Sequence, residues 1–265
     1  MMRRQPADLT SRLLRKPGCR GAVVLRSEAG RVVLMARGRA GRTNKVPKFD
    51  FASWQGRLLA YLDFLWNDHA YLRLGFRNAH WISEEMARSN QPWPHQLAAW
   101  KAQGVRTVIN LRGGFDTGFH LLEARACRNL GLELVNFTIT SRDAPSAAQI
   151  AAARELFGSI AYPALLHCKS GADRAGMMSA LYLHFRQKAP IEIAKAQLGL
   201  RYLHLRSSRT GVLDAAFDTY LAEGVTAGSF LDWTQSPAYR PDVIKAAHTG
   251  KRGRLSLADR LLRRE

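Results

Sequence analysis

The stretch ALLHCKSGADRAG, residues 164–176, decides the fold, because an apolar run passes through a cysteine directly into a helical pattern. A short apolar run of this kind indicates a buried strand, and the residues after Ala172 have the length and composition of a helix. We therefore expect Cys168 at the carboxyl end of a strand and the mouth of a helix, where backbone N–H groups converge. Ligands of parallel sheets bind at that edge, so the sequence predicts a site there.

The chain before this stretch alternates between short apolar runs and helical patterns. The predicted strands are VRTVINLR, LELVNFTI and PALLHC, and the predicted helices are PHQLAAWKAQG, FHLLEARACRNLG and APSAAQIAAARELFGSI. This alternation is typical of βαβ units. We predict an α/β fold with a single, mainly parallel central sheet flanked by helices, and with basic N- and C-terminal extensions.

Composition divides the chain into four predicted regions. Residues 1–47 form a basic N-terminal extension that is expected to be disordered, although GAVVL and RVVLMA have the pattern of a hairpin. Residues 48–77 form an aromatic, amphipathic helical segment. Residues 78–235 form the α/β domain, and residues 236–265 form a basic C-terminal tail.

The helical segment is rich in aromatic residues. Its apolar side chains recur at spacings of three and four residues, which predicts a helix with one apolar face. The residues that carry this spacing are Trp54, Leu58, Tyr61, Leu62 and Leu65. Two interpretations stand: the helix packs on its own domain, or its rings lie at the headgroup level of a membrane.

Charge is strongly unbalanced, with 40 Lys and Arg against 21 Asp and Glu and a formal net charge of +19. The first 50 residues hold 13 basic and 3 acidic side chains, and the last fifteen hold 6 basic and 2 acidic. Basic tails of this kind bind nucleic acid or an anionic membrane surface, or they simply keep a protein in solution.

Cysteine usage indicates a reducing compartment. The three cysteines, Cys19, Cys127 and Cys168, are odd in number and share no spacing typical of disulfides or zinc sites. No run approaches the roughly 18 apolar residues of a membrane-spanning helix, and no signal-peptide pattern begins the chain. We expect a cytoplasmic protein with possible peripheral contact to a membrane.

The residues between Cys168 and Arg174 suggest an anion site. Lys169, Ser170, Gly171, Ala172 and Asp173 make a loop long enough to curl so that successive N–H groups point inward. Gly171 permits the tight curl, the inward N–H groups favour a thiolate on Cys168, and Arg174 offers a planar fork to two oxygens. The loop is suited to a tetrahedral oxyanion such as phosphate.

These residues resemble a known signature. HCKSGADRAG is similar to the HCxxGxxR pattern of cysteine-dependent tyrosine and dual-specificity phosphatases, and the upstream MARSNQPWPHQLAAWKAQGVRTVINLRG resembles the early strand and helix of bacterial members. The resemblance covers about residues 78–225 and implies that residues 78–235 are a phosphatase domain. It implies no cofactor and no metal.

The resemblance also implies roles for individual residues. Cys168 attacks phosphorus to form a phosphocysteine, while Arg174 and the amides of residues 169–173 hold the equatorial oxygens. His167 supports the loop and the thiolate from behind; its alternative role is that of a structural histidine at a strand end. Relatives carry Ser or Thr where this chain has Ala175, which predicts a slower second step or compensation by Ser170.

A general acid is needed to protonate the leaving group, and two aspartates compete for that role. Asp143 lies in SRDAPS, 25 residues before Cys168, where the acid-bearing loop of the family belongs. Its alternative role is that of a turn residue before Pro145. Asp173, next to Arg174, is the other candidate, and its alternative role is to hold local backbone or Arg174 in place.

The substrate and partners stay open at this level. A phosphorylated protein is the first expectation, and a phospholipid phosphomonoester at an anionic membrane, such as phosphatidylglycerophosphate, is the second. A non-catalytic nucleic-acid-binding protein is the hypothesis of another class, but no RNA or DNA module signature is present, so nucleic acid is not expected as a partner. His184 and His204 lack partners at ligand spacing, so they are interpreted as ordinary helix residues.

Overall fold

The computed structural model describes residues 22–26, 32–36 and 49–250. Strands are listed here in chain order: β1 Ala22–Arg26, β2 Val32–Ala36, β3 His80–Trp81, β4 Met86–Ser89, β5 Thr107–Asn110, β6 Glu133–Asn136 and β7 Ala164–His167. The α-helices are α1 Trp54–Leu62, α2 Pro94–Ala102, α3 Gly118–Leu130, α4 Ala147–Ser159, α5 Asp173–Phe185, α6 Ile191–Ala194, α7 Val212–Thr219, α8 Phe230–Gln235 and α9 Pro241–Gly250. Among the described residues, none of the helices combines the length and apolar content needed to cross a bilayer.

Five strands form the central sheet in the order β3-β4-β7-β5-β6. β7 lies in the middle and runs parallel to both β4 and β5, so Leu165 pairs with Ala87 on one side and with Val108 on the other. Only the short edge strand β3 is antiparallel. The prediction of a mainly parallel α/β sheet is confirmed, and the strand that leads to Cys168 is its central strand.

Helices cover both faces of this sheet. Because successive side chains of a strand point to opposite faces, Leu166 and Ile109 enter one apolar cluster while Leu165 and Val108 enter another. The first cluster is larger and includes side chains of α4, α5, α7 and α8; the second includes side chains of α2 and α3. Burial on both faces explains why these strands are continuously apolar in sequence.

The N-terminal runs GAVVL and RVVLMA contain β1 and β2, which pair as an antiparallel hairpin with Val24 opposite Leu34. The remainder of the predicted N-terminal extension lies outside the described residues. So do Cys19 and the predicted basic tail beyond residue 250.

The segment that begins with α1 packs on the domain, but through a different face from the one its apolar spacing predicts. Ala60 and Phe64 are buried, and the Phe64 and Trp93 rings lie 4.5 Å apart between centroids. The contact with α3 is close: a Cβ on Gly118 would lie 2.4 Å from Ala60 O. Small residues therefore allow the helices to approach. Four residues of the predicted stripe face outward, Trp54, Leu58, Tyr61 and Leu62, whereas Leu65 is half-buried against the cluster that contains Phe64.

His204 connects the start of α5 to α7. Its Nδ1 donates to Asp173 Oδ1 at 2.7 Å and its Nε2 donates to Asp214 Oδ2 at 2.5 Å, and all three side chains are buried. Ionised carboxylates only accept hydrogen bonds, so both ring nitrogens carry a proton and the ring is a cation. Burial alone would lower the pKa of His204, but the two carboxylates raise it to about 9. The interpretation of His204 as an ordinary helix residue is therefore wrong.

The His204 cation predicts a loss of stability at alkaline pH. Folding raises the pKa of His204 from 6.5 to about 9, so its contribution is fully present below about pH 6.5 and is lost as the pH rises through 9. Between these values the free energy of unfolding should fall with pH by up to about 1.4 kcal/mol per unit. Urea unfolding at a series of pH values measures the slope.

A matched variant serves as the control for this slope. His95→Asn removes an exposed histidine of α2 and should keep the wild-type slope, whereas His204→Asn should lose most of it. Should His204→Asn fail to fold, an NMR titration of the His204 ring in the wild-type protein answers the same question. A ring that titrates at or below pH 6.5 in the folded protein contradicts the assignment.

Candidate active site

The loop from Cys168 to Ala172 joins the central strand β7 to α5. Cys168 is 1% exposed and borders the larger apolar cluster, and Asp173 is the first residue of α5. Arg174 follows in the first turn of that helix and is half-buried. The structure thus brings the predicted nucleophile, loop and arginine to the carboxyl end of the sheet, at the N-terminus of a 13-residue helix.

The carbonyl groups of residues 169–172 all accept hydrogen bonds from outside the loop. Gln91 N donates to Lys169 O at 3.3 Å, and Asn78 Nδ2 donates to Ser170 O at 3.0 Å. Gln91 follows β4, the strand next to β7, and Asn78 precedes the edge strand β3. The first half of the loop is therefore fixed through the carbonyl groups of Lys169 and Ser170.

Arg88 of β4 holds the second half of the loop. Its Nη2 donates to Gly171 O at 2.7 Å and to Ala172 O at 3.0 Å, and its Nη1 donates to Gln197 O at 2.8 Å and Gln197 Oε1 at 2.9 Å. The guanidinium carbon lies 4.0 Å from the centroid of the Tyr202 ring. Arg88 is completely buried and shielded from solvent, and these acceptors and the ring face compensate its charge instead.

Burial lowers the pKa of Arg88 to about 10, and the negative charge of Cys168 is the strongest opposing influence. The guanidinium therefore stays charged at neutral pH. Opposite charges attract, so the Arg88 cation would attract a negative charge that forms at Cys168 during a reaction. Arg88 is thus an electrostatic as well as a structural neighbour of the predicted nucleophile.

Gly171 has a positive φ of 73°, a conformation that favours glycine. A Cβ there would lie 2.6 Å from Asn90 N and 2.7 Å from Ser89 C, so the loop also passes too close to β4 for a side chain. With the carbonyls bonded outward, the amides of Ser170 and Gly171 donate no hydrogen bond within the part of the chain that the structure describes. They are the groups that an anion in the loop would use.

A buried polar network lies behind the loop. His167 Nε2 lies 2.7 Å from Glu123 Oε1, with the distance of an ion pair but without the angle of a hydrogen bond, and both side chains are fully buried. Gln91 Nε2 donates to the same Glu123 oxygen at 2.9 Å, and Arg112 Nη1 donates to Gln91 Oε1 at 3.0 Å. His167 therefore belongs to a network that reaches from β7 through α3 to the end of β5.

The network ends at Asp68, which lies within residues 48–77, the segment predicted to be helical. Arg112 donates to both carboxylate oxygens of Asp68, at 3.1 and 2.5 Å, and Arg73 donates to one of them. Lys169 Nζ, in the loop itself, lies 3.8 Å from Asp68 Oδ1. Burial alone would raise the pKa of Asp68, but Arg112 and the other two cations lower it. The Asp68 carboxylate thus contacts three cations beside the loop: Arg73, Arg112 and Lys169.

The two candidate acids lie in different settings. Asp143, between β6 and α4, forms an ion pair with Lys245 of α9 and is partly exposed. Asp173 is buried and accepts hydrogen bonds from His204 at 2.7 Å and from Thr210 Oγ1 at 2.9 Å. Since Asp173 is bonded to a histidine cation, it is suited to holding the start of α5 rather than to donating a proton.

Ala175, the departure from the expected pattern, is completely buried in the larger cluster. The Ser170 hydroxyl, named as its possible substitute, accepts a long 3.4 Å hydrogen bond from Ala172 N within the loop. Among the described residues, no group of three or more His, Cys, Asp or Glu side chains could hold a metal ion.

Four supporting residues of the site escaped sequence reasoning: Arg88, Gln91, Glu123 and Asp68. Arg88 and Gln91 lie in RSNQP, which the resemblance includes without giving it a role. Glu123 and Asp68 lie in helical patterns where an acidic residue is ordinary. Only the structure shows that both carboxylates are buried, so no sequence signal identifies them.

Comparisons with known proteins give one family match and several similar structures. Residues 83–212 match the family model described as "DSP-PTPase phosphatase fused to NAD+ Kinase". No curated protein sequence gives a significant match.

Solved structures with a similar fold include TpbA of P. aeruginosa, at 16% identity over 65% of this chain and 91% of TpbA, with a TM-score of 0.44. PTPMT1 is similar at 19% identity over 56% of this chain and 99% of its own, with a TM-score of 0.42. The active form of Tk-PTP is similar at 17% identity over 53% of this chain and 96% of its own, with a TM-score of 0.44.

The family match covers the strand, the loop and the helix around Cys168 together with the RSNQP segment that bonds to the loop. Residues 83–212 are therefore a domain of the DSP-PTPase phosphatase type, the class that the sequence signature indicates.

Proposed function

We propose that the chain hydrolyses phosphomonoesters through a phosphocysteine intermediate, as a phosphatase of the tyrosine and dual-specificity type. The observation that carries this proposal is the outward bonding of all four carbonyls from Lys169 to Ala172. Carbonyls bonded outward leave the amides of the same peptides directed to the other side of the loop. Such an array of preorganised donors is the main source of catalysis in phosphoryl transfer.

In the first step, the Cys168 thiolate attacks phosphorus. The S–P bond forms, the bond from phosphorus to the leaving oxygen breaks, and that oxygen takes a proton from Asp143. The Arg174 guanidinium and the loop amides bind the three equatorial oxygens. For Asp143 to deliver its proton, it must separate from Lys245, with which it is paired here.

In the second step, water attacks the phosphocysteine and gives its proton to Asp143. The new P–O bond forms, the S–P bond breaks, and Cys168 returns as a thiolate with inorganic phosphate as product. Ala175 has no hydroxyl to stabilise that thiolate, so the Arg88 cation and the loop donors have to do so. This step is therefore expected to limit turnover.

His167 acts as a positioning residue in this scheme. It is fully buried beside Glu123, whose carboxylate is also bonded to Gln91. Gln91 in turn bonds through its backbone N to Lys169 O of the loop. Movement of the histidine would thus be transmitted to the loop on both sides of Cys168.

Removing the nucleophile or the guanidinium should abolish hydrolysis of p-nitrophenyl phosphate. Cys168→Ser should leave no measurable turnover, and Arg174→Ala should lower kcat on the order of 10³-fold because the equatorial oxygens lose a charged donor. Cys127→Ser and Arg154→Ala are the matched controls. Burial raises the pKa of Cys127 to about 12, so it is no thiolate at neutral pH, and Arg154 is exposed on α4. Neither substitution should change the rate of hydrolysis. Wild-type rates in Cys168→Ser or Arg174→Ala would refute the proposal.

Asp143 is tested by leaving groups of different basicity. Asp143→Asn should lower the rate on alkyl phosphates about 10²-fold or more, should affect aryl phosphates with good leaving groups much less, and should remove the basic limb of the kcat/KM profile. Asp242→Asn, an exposed aspartate of α9, is the control. If the basic limb and the leaving-group dependence survive in Asp143→Asn, the proton donor lies elsewhere.

A second candidate function is hydrolysis of a phospholipid phosphomonoester. It is favoured by the exposed apolar side chains from Trp54 to Phe76, a segment that reaches the loop through the contact of Asp68 with Lys169. Purified protein can be compared on phosphotyrosine peptides and on lipid phosphates in vesicles. A kcat/KM at least about tenfold higher for the lipid supports the second candidate, and the opposite ratio supports a phosphoprotein substrate.

A further inference from the structure

The outward surface of residues 54–76 is unusually apolar. Ten large apolar side chains of this segment are at least 40% exposed, out of seventeen in the whole described part of the chain. Trp54, Trp66, Leu72 and Leu74 are 57–64% exposed. Single exposed apolar side chains are common in proteins, but ten within 23 consecutive residues mark a surface that binds something apolar. We call it the outer face of residues 54–76.

The charged residues of the same segment are turned the other way. Arg57 Nη1 donates to the backbone oxygens of Phe51 and Ala52, and Asp63 Oδ2 accepts from Gly118 N at 2.8 Å. The other two charged residues of the segment, Asp68 and Arg73, are buried and bonded to each other. The segment therefore exposes its large apolar groups, while its four charged residues are buried or half-buried and bonded to the protein, the reverse of a surface helix in water.

The inner side of the segment already has its partners. Ala60, Phe64 and Ala70 are at most 1% exposed and pack with Trp93 and Phe119 of the domain. The outer face is thus not the side through which the segment folds onto the protein. Within the described residues, its exposed side chains remain uncovered.

We propose that the outer face of residues 54–76 is a docking surface for an anionic lipid bilayer. Trp and Tyr rings suit the interface between water and acyl chains, and Leu side chains suit the layer beneath it. The 50 residues that lead into the segment carry 13 basic and 3 acidic side chains, so they are attracted to anionic headgroups. The two signals lie next to each other in the chain, and stable membrane binding generally needs two.

Charge also decides between a bilayer and a second copy of this chain. Each chain carries a formal net charge of +19, so pairing two outer faces would bring two strongly positive molecules together. An anionic bilayer covers the same apolar area and attracts that charge instead of repelling it. The docking surface does not use Cys168 or the loop, so the inference stands apart from the proposed hydrolysis.

Flotation of the full chain with vesicles tests the proposal. One set of vesicles is phosphatidylcholine alone, and the other contains about one third phosphatidylglycerol. The test variant is Trp66→Glu with Leu72→Glu, and the matched control is Ile193→Glu with Val243→Glu, which changes two exposed apolar residues of α6 and α9. All four positions are exposed, so both variants should fold and should hydrolyse p-nitrophenyl phosphate in solution at the wild-type rate.

Wild type, the control variant and Cys168→Ser should all float with the anionic vesicles, and Trp66→Glu with Leu72→Glu should bind at least about tenfold more weakly. Binding by Cys168→Ser separates this result from any failure of the proposed catalysis. Equal binding by wild type and the test variant would mean that the basic tails act alone, which overturns the proposal. No binding by wild type, or a dimer in solution that the test variant abolishes, overturns it as well.

Discussion

The site depends on the hydrogen bonds that the buried Arg88 guanidinium donates to the carbonyls of Gly171 and Ala172. A fully buried cation is tolerated only where acceptors replace water, and here four acceptor contacts and the face of Tyr202 do so. Because a peptide's C=O and N–H point in opposite directions, fixing two carbonyls also fixes the direction of the amides attached to them. The same cation lies close enough to Cys168 for their charges to interact. One side chain thus contributes to both the shape and the electrostatics of the loop.

The central features of the fold and site follow from local sequence. The alternation of short apolar runs with helical patterns predicts the parallel sheet, and HCKSGADR places Cys168, Gly171 and Arg174 within seven residues. The supporting network does not follow, because its contacts join residues that are distant in sequence. Arg88 bonds to residues 83 to 109 positions away, and Gln91 bonds to Glu123 across 32 positions. The sequence does not reveal the role of His204 either, because its carboxylate partners lie 31 residues before it and 10 after it.

Periodicity in α1 predicts a helix correctly but does not say which face is buried. The apolar spacing from Trp54 to Leu62 indicates one face, whereas the structure buries Gly56 and Ala60 on another. Close approach to Gly118 of α3 requires small side chains, so steric fit outweighs hydrophobicity in choosing the packing face. The large apolar groups are left outside, while Asp68 of the same segment lies 3.8 Å from Lys169 Nζ of the loop. The same packing choice creates the outer face and places it in the same structural unit as the candidate site.

The span of the Arg88 contacts has a consequence for how the protein acquires activity during synthesis. The carbonyls it holds lie at residues 171 and 172, but its other acceptors belong to Gln197, well after α5. A nascent chain that ends after α5 already contains every strand of the central sheet and the cysteine itself. It lacks Gln197 and Tyr202, which supply two of the four acceptor contacts and the ring face that balance the buried cation. The full set of Arg88 contacts can therefore be completed only after the residues beyond α6 have been synthesised.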